Sequence, residues 1–169
     1  APFYEVHRTI LQTDKTVQIR DRIESRRKTD PVVIAPRFEV RVEKNRFGTV
    51  WIGGDKDPLL NGVSQPFNPT LFIPMDGVGL GLVVEDDVLR LQGAFSYDAE
   101  KGIAVVKSDE LVVSEKGGSA HTMEITLYPT LHDSYWEFIS DVRQDRGIRT
   151  PMPGTIRFTY PEKILEMGV

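Results

Sequence analysis

From Tyr4 to Tyr128 the chain repeats one pattern, apolar residues alternating with polar ones in short runs between turn residues, and it departs from that pattern once, at residues 133 to 147. A period of two places alternate side chains on opposite faces of a strand, whereas a period of 3.6 places them on one stripe of a helix. The chain is therefore mostly strand, with one late helix. In the helical stretch, Ser134 and Glu137 have the spacing of a capping box, in which the hydroxyl and the carboxylate satisfy amides at the helix start. Tyr135, Phe138, Ile139 and Val142 follow at i, i+3, i+4 and i+7, with Trp136 beside the stripe and widening it. Gly147 supplies a left-handed C-cap. Burial of four such side chains is worth about 1.5 to 3 kcal/mol each, so the helix is expected to dock on a sheet.

The strands carry their own constraints. Tyr4 and Val6 alternate against Phe3, Glu5 and His7 as an edge strand. Between Thr16 and Ser25, Val17, Ile19 and Ile23 share a face with Asp21, and an inward carboxylate is costly unless an arginine or backbone amides meet it. Arg26-Arg27-Lys28 ahead of Thr29-Asp30-Pro31 reads as a solvated turn. From Arg37 to Glu43, Phe38, Val40 and Val42 alternate against four charged residues. Val78, Leu80, Leu82 and Val84 alternate against Gly79, Gly81 and Val83, and two glycines on one strand face admit something bulky close to the backbone. Glu85-Asp86-Asp87 reads as an acidic hairpin tip, and Leu89, Leu91, Phe95 and Tyr97 as the inward face of the next strand. His121, in line with Met123, Ile125 and Leu127, reads as a hydrogen-bonded core histidine.

The binding candidates lie around Trp51. It faces away from Val50 and Ile52, and it precedes Gly53-Gly54-Asp55, whose small residues leave an indole face uncovered. Two readings are open: Trp51 packs in the core, or it is a sugar-stacking platform with Asp55 and Asn61 as hydrogen-bonding companions. Asp55, Asp57 and Asn61 also offer oxygens to calcium, but the later carboxylate of an EF-hand loop is missing and a capped turn explains the same residues.

Composition removes several function classes. The 169 residues fit one domain, with no cysteine for a disulfide or a thiol nucleophile. A net charge of -4, with scattered basic residues, gives no footprint for nucleic acid. No apolar run reaches the ~20 residues of a membrane-spanning helix. With only His7, His121 and His132, no zinc constellation can be assembled, and no Gly-x-Ser-x-Gly, phosphate loop or His-Glu-x-x-His is present. Acids are many, but none are assigned in pairs to one cleft. No catalytic residue, metal or cofactor is therefore assigned.

The fold expected is mainly β, an antiparallel β-sandwich with one late helix around residues 134 to 146. Residues 1 to 147 form the sandwich domain with its closing helix. Residues 148 to 169 are a connector and the start of a link to a following domain, because Pro151-Met152-Pro153-Gly154 is stiff and Thr155 to Tyr160 alternates again. The start without Met and the final Glu-Lys-Ile-Leu-Glu-Met-Gly-Val read as a processed chain or an excised module.

Trp51-Ile52-Gly53-Gly54-Asp55, Asn68-Pro69-Thr70, Glu85-Asp86-Asp87, Tyr128-Pro129 and Tyr135-Trp136-x-Phe138-Ile139-x-x-Val142-Arg143-x-Asp145 resemble the β-rich region of large bacterial glycoside-hydrolase-like proteins. In those proteins a supersandwich domain, similar in fold to galactose mutarotase, precedes a catalytic barrel, and a helix of this kind carries the chain across. The resemblance spans about residues 10 to 160. It implies a non-catalytic accessory module, a catalytic domain following in the same parent chain as its partner, contact with carbohydrate, and a secreted or periplasmic location. No catalytic residue carries over. The alternative is a β-sandwich interaction or adhesion domain without sugar chemistry, and the sequence beyond Val169 separates the two.

Overall fold

The computed structural model describes residues 3–27, 30–42, 49–56, 65–66, 68–113 and 120–148. In chain order the described elements are β1 (Tyr4–Gln12), β2 (Val17–Ser25), β3 (Val32–Ile34), β4 (Arg37–Arg41), β5 (Trp51–Ile52), β6 (Asp55–Lys56), β7 (Thr70–Pro74), β8 (Gly79–Val84), α1 (Asp87–Gln92), β9 (Ala94–Asp98), β10 (Ile103–Lys107), β11 (Leu111–Val113), β12 (Ala120–Thr130) and α2 (Tyr135–Asp145). The fold is mainly β and sandwich-like, with every strand pair antiparallel. A seven-stranded sheet runs β1-β2-β12-β8-β7-β5-β6, and smaller sheets are formed by β4-β10-β9 and β11-β3.

Alternation sorts the side chains of the large sheet. Ile23, Ile52, Leu71, Ile73, Leu82, Val84, Met123 and Ile125 go to one face, where they pack with Phe38, Phe95, Tyr97 and Val106 of the three-stranded sheet and Leu111 and Val113 of β11. That is the sandwich core. Thr70, Phe72, Gly79, Gly81, Tyr128 and Thr130 go to the other face, because they alternate with those residues along the same strands. This second face is buried too, and what buries it is the start of α2. A Cβ on Gly81 would stand 2.1 Å from the Phe138 ring, and one on Gly79 would stand 2.3 Å from the Phe72 ring. The two glycines leave room for these two aromatic rings, as their spacing anticipates.

Asp21 finds its arginine. Register places Arg8 of β1 directly opposite it, and Arg8 Nε and Nη2 each donate to one carboxylate oxygen at 2.7 Å. A bidentate pair of this kind answers the desolvation of a carboxylate that is almost out of solvent. His121 lies in line with Met123 as expected. Its Nε2 is out of solvent and, among the described residues, meets no hydrogen-bond partner, so the expected bond is not seen there.

One stretch departs from expectation. Glu85-Asp86-Asp87 is not a hairpin tip, and Leu89 and Leu91 do not share a strand face. Asp86 caps α1, accepting from the Leu89 N–H at 2.9 Å, and its second carboxylate oxygen accepts from the Glu124 N–H at 3.0 Å. The cap bends the chain into a helix of six residues, which buries Leu89 and leaves Leu91 88% exposed. A two-residue alternation inside a short helix mimics a strand, and the aspartate cap was the signal that distinguishes them.

The chain divides into two units, residues 1–139 and 140–169, so that α2 begins in the first and ends in the second. In the first unit, the Ser134 hydroxyl accepts from the Glu137 N–H at 3.4 Å, a long cap bond. In the second, Gly147 has φ 68°, its N–H donates to the Gln144 carbonyl, and that of Ile148 donates to the Arg143 carbonyl. This is the expected left-handed cap. The connector and the alternating Thr155 to Tyr160 lie outside the described residues. No helix among the described residues is long and apolar enough to cross a membrane.

Candidate functional site

Trp51 owes its place to a tight hairpin. Gly53 and Gly54 form the two-residue turn between β5 and β6, with φ values of 63° and 103° that only glycine adopts readily. A Cβ on Gly53 would also stand 2.2 Å from Pro66 Cβ. The short hairpin sends Ile52 into the sandwich core and Trp51 to the opposite face. There the indole lies on the Tyr135 ring, with centroids 5.1 Å apart and planes 7° from parallel. Trp51 is half-buried, one indole face resting on Tyr135.

Tyr135 is the pivot of the cluster. Its ring is buried, edge-on to Phe72 and Phe138 at 6.4 and 6.0 Å. Its hydroxyl accepts from Asn68 Nδ2 and shares a hydrogen bond with Thr70 Oγ1, each at 3.1 Å. Burial holds its phenol above the ordinary 10.0; the Thr70 bond opposes this, and the Asp55 carboxylate adds to it. A raised folded-state value means that this phenol favours the fold fully below the unfolded pKa and that the contribution is lost as pH rises past about 10. Spectrophotometric titration is therefore expected to show a tyrosine ionising above the ordinary range, and Tyr135→Phe is expected to remove it. Unchanged late ionisation in that variant would mean that the shifted phenol is another.

Trp136 was expected to widen the buried stripe of the helix, and instead it is 65% exposed. At the next position after Tyr135 it turns away from the sheet, and it meets two neighbouring rings in T-shaped contacts: Trp51 at 6.2 Å and 69°, Tyr135 at 5.2 Å and 76°. An indole braced on two rings has few rotamers to lose when something stacks on it. Asp55, exposed on β6, stands opposite Ile52, while Lys56 stands opposite Trp51, and Asn68 presents an exposed side chain that already engages Tyr135. Asn61 lies outside the described residues. Trp51, Tyr135 and Trp136 are thus drawn into one ledge with polar groups at its margin. Sequence reasoning missed Trp136 as a surface residue; the signal available was its position one residue past the apolar stripe, about 100° round the helix.

A second constellation was invisible in the sequence. Glu5, His7 and Glu24 bring one ligating atom each within 4.8 Å of one another on the outer face of β1 and β2. Both carboxylates are engaged by arginines, Glu5 with Arg26 and Glu24 with Arg22, so the cluster is a neutralised surface network in this structure. Among the described residues the ledge around Trp51 carries no nucleophile and no paired acids; its chemistry is stacking and hydrogen bonding. No protein-family model matches this sequence, and no curated protein matches it.

Proposed function

We propose that this chain is a non-catalytic β-sandwich module, of the supersandwich kind, belonging to a larger carbohydrate-active protein, where it braces the catalytic domain of the same parent chain and touches glycan through the ledge of Trp51 and Trp136. The observation that carries the glycan part is the exposed indole of Trp136, braced by T-shaped contacts with two further rings. A pyranose has an apolar face of C–H groups and a rim of hydroxyls. An exposed indole fits the first, and Asp55 and Asn68 suit the second. Resemblance of the Trp51 to Asp55 and Tyr135 to Asp145 motifs to glycoside-hydrolase-like proteins supports the same reading.

Titrating oligosaccharides while following tryptophan emission tests it. A saturable change is expected, with a dissociation constant on the order of 0.1 to 1 mM, or about 4 to 5.5 kcal/mol. Trp136→Ala should abolish the change while the melting midpoint stays within a degree or two. Trp51→Ala should weaken binding and stability together, because Tyr135 loses its stacking partner. If no sugar perturbs the emission, the glycan contact fails. The reading as an interaction domain without sugar chemistry then gains, and the open edge of β1 is what favours it.

A further inference from the structure

β1 is the outermost strand of the seven-stranded sheet, and its nine residues run in unbroken register with β2, from Tyr4 opposite Ser25 to Gln12 opposite Val17. At either end of this ladder the Arg26 N–H donates to the Phe3 carbonyl and the Thr13 N–H to the Thr16 carbonyl. Hydrogen-bonded and non-bonded pairs alternate along an antiparallel ladder. Odd-numbered residues of β1 therefore bond to β2, and Tyr4, Val6, Arg8, Ile10 and Gln12 turn their backbone groups toward the open edge. Among the described residues nothing pairs with them.

Edge strands of monomers are guarded by lysine, proline, a bulge, or an inward charge that another strand would have to bury. β1 has no lysine, proline, glycine or bulge. Its inward charge, Arg8, is matched by the bidentate bridge to Asp21, and its outward Glu5 by Arg26. Val6, Ile10 and Leu11 are 48%, 59% and 50% exposed. Beside the strand the inner face opens into a groove of about 450 Å³, bordered by Tyr4, Val6, Val33, Ile34 and Phe38.

We propose that this edge joins two copies of the chain about a two-fold axis, β1 pairing antiparallel with β1 so that Val6 faces the partner's Val6. The strand is complementary to itself in that register. Glu5 falls opposite the partner's His7 and Tyr4 opposite the partner's Arg8, and symmetry repeats both pairs. A carboxylate meets an imidazole and an aromatic ring meets a guanidinium, with no like charges opposed. Centring the pair on Arg8 would set two guanidinium groups face to face, and a slip of one residue would turn the exposed valine and isoleucine to the wrong side of the joint sheet. The partner's inward side chains extend the wall of the groove beside Val6. This dimer is independent of any glycan contact, and its test uses no sugar.

Sedimentation of the whole chain from about 1 µM to 1 mM is expected to show a reversible dimer. Val6→Pro removes an N–H that points to the edge and leaves the bonds to β2 intact, so it should give a folded monomer. Because the chain has no cysteine, Val6→Cys provides a clean crosslink. Facing Cα atoms in a bonded pair lie about 5.5 Å apart, within disulfide range, so mild oxidation should yield a covalent dimer. Ile10→Cys should not crosslink, since the two copies of residue 10 would stand roughly 26 Å apart. A monomer throughout the concentration range overturns the proposal. So does a dimer that survives Val6→Pro, or one in which Ile10→Cys crosslinks as readily as Val6→Cys. A chain that stays monomeric but captures an extended peptide along β1 assigns the edge to a different occupant, and equally overturns it.

Discussion

Phe138→Ala is expected to destabilise the protein by about 3 to 5 kcal/mol, the range found when a buried phenylalanine is cut back to its β-carbon. Phe138 is fully out of solvent in the first unit. It stacks on Phe72 at 5.2 Å and 14°, and it meets Tyr128 and Tyr135 edge-on at 5.9 and 6.0 Å. Truncation removes the transfer free energy of the ring and leaves a hole between residues held by a seven-stranded sheet, which has little freedom to collapse. For a chain of this length the melting midpoint should fall by roughly 6 to 20 °C. Urea unfolding followed by circular dichroism checks it. A midpoint that does not move would mean that the start of α2 is not seated on the sheet.

The second large effect comes from the opposite direction. Gly81→Ala adds one methyl group, and in an ordinary strand that change stabilises by roughly 0.5 to 1 kcal/mol, because glycine has more conformational entropy to lose. Here the added carbon would stand 2.1 to 2.7 Å from three atoms of the Phe138 ring. A ring pinned by Phe72 and Tyr128 cannot swing aside, so overpacking is expected to win, with a net loss of about 1 to 3 kcal/mol. The double-mutant cycle isolates the cause. With Phe138→Ala already in place the clash is gone, and Gly81→Ala should become neutral or favourable, a coupling of about 1 to 3 kcal/mol. Additive effects in that cycle would place the penalty in the backbone and not in the ring. Gly81 has no positive φ, so space alone is what requires glycine there.

These two residues also show how far the sequence could be read. A pair of glycines alternating with Leu80 and Leu82 announced a close approach, and the stripe through Phe138 announced a helix in need of a surface. Each statement is local. That the two needs answer one another depends on β7, β8 and β12 lying side by side, and strand order is not written in any one strand. Asp21 gives the same lesson with charge. Its inward position demanded an arginine or backbone amides, while the choice of Arg8 follows from the register of β1 on β2.

The ledge was legible only in part. Alternation with Val50 and Ile52 set the face of Trp51, whereas the hairpin that Gly53-Gly54 makes with Asp55 and Lys56 was not anticipated. The covering of that indole by Tyr135 comes from a residue more than eighty positions later, and the exposure of Trp136 follows from the way the helix is seated. Asp86 shows the converse case, in which a local signal, an aspartate cap, was outweighed by a two-residue alternation that a helix of six residues can imitate.

What the sequence by itself determined is the class of most segments, α1 excepted: strands where apolar residues alternate, one late helix where they recur every three to four, glycine where the chain turns with positive φ or another group lies against it. These follow from backbone sterics and from the cost of leaving apolar surface in water, which act within a few residues. The tertiary structure alone decided the pairings, among them Phe138 over Gly81, Arg8 on Asp21, Tyr135 beneath Trp51, and the place of β1 at the rim of the described sheet. Each joins residues far apart in the chain, and the free energy that selects it exists only once both sides have been brought together and desolvated.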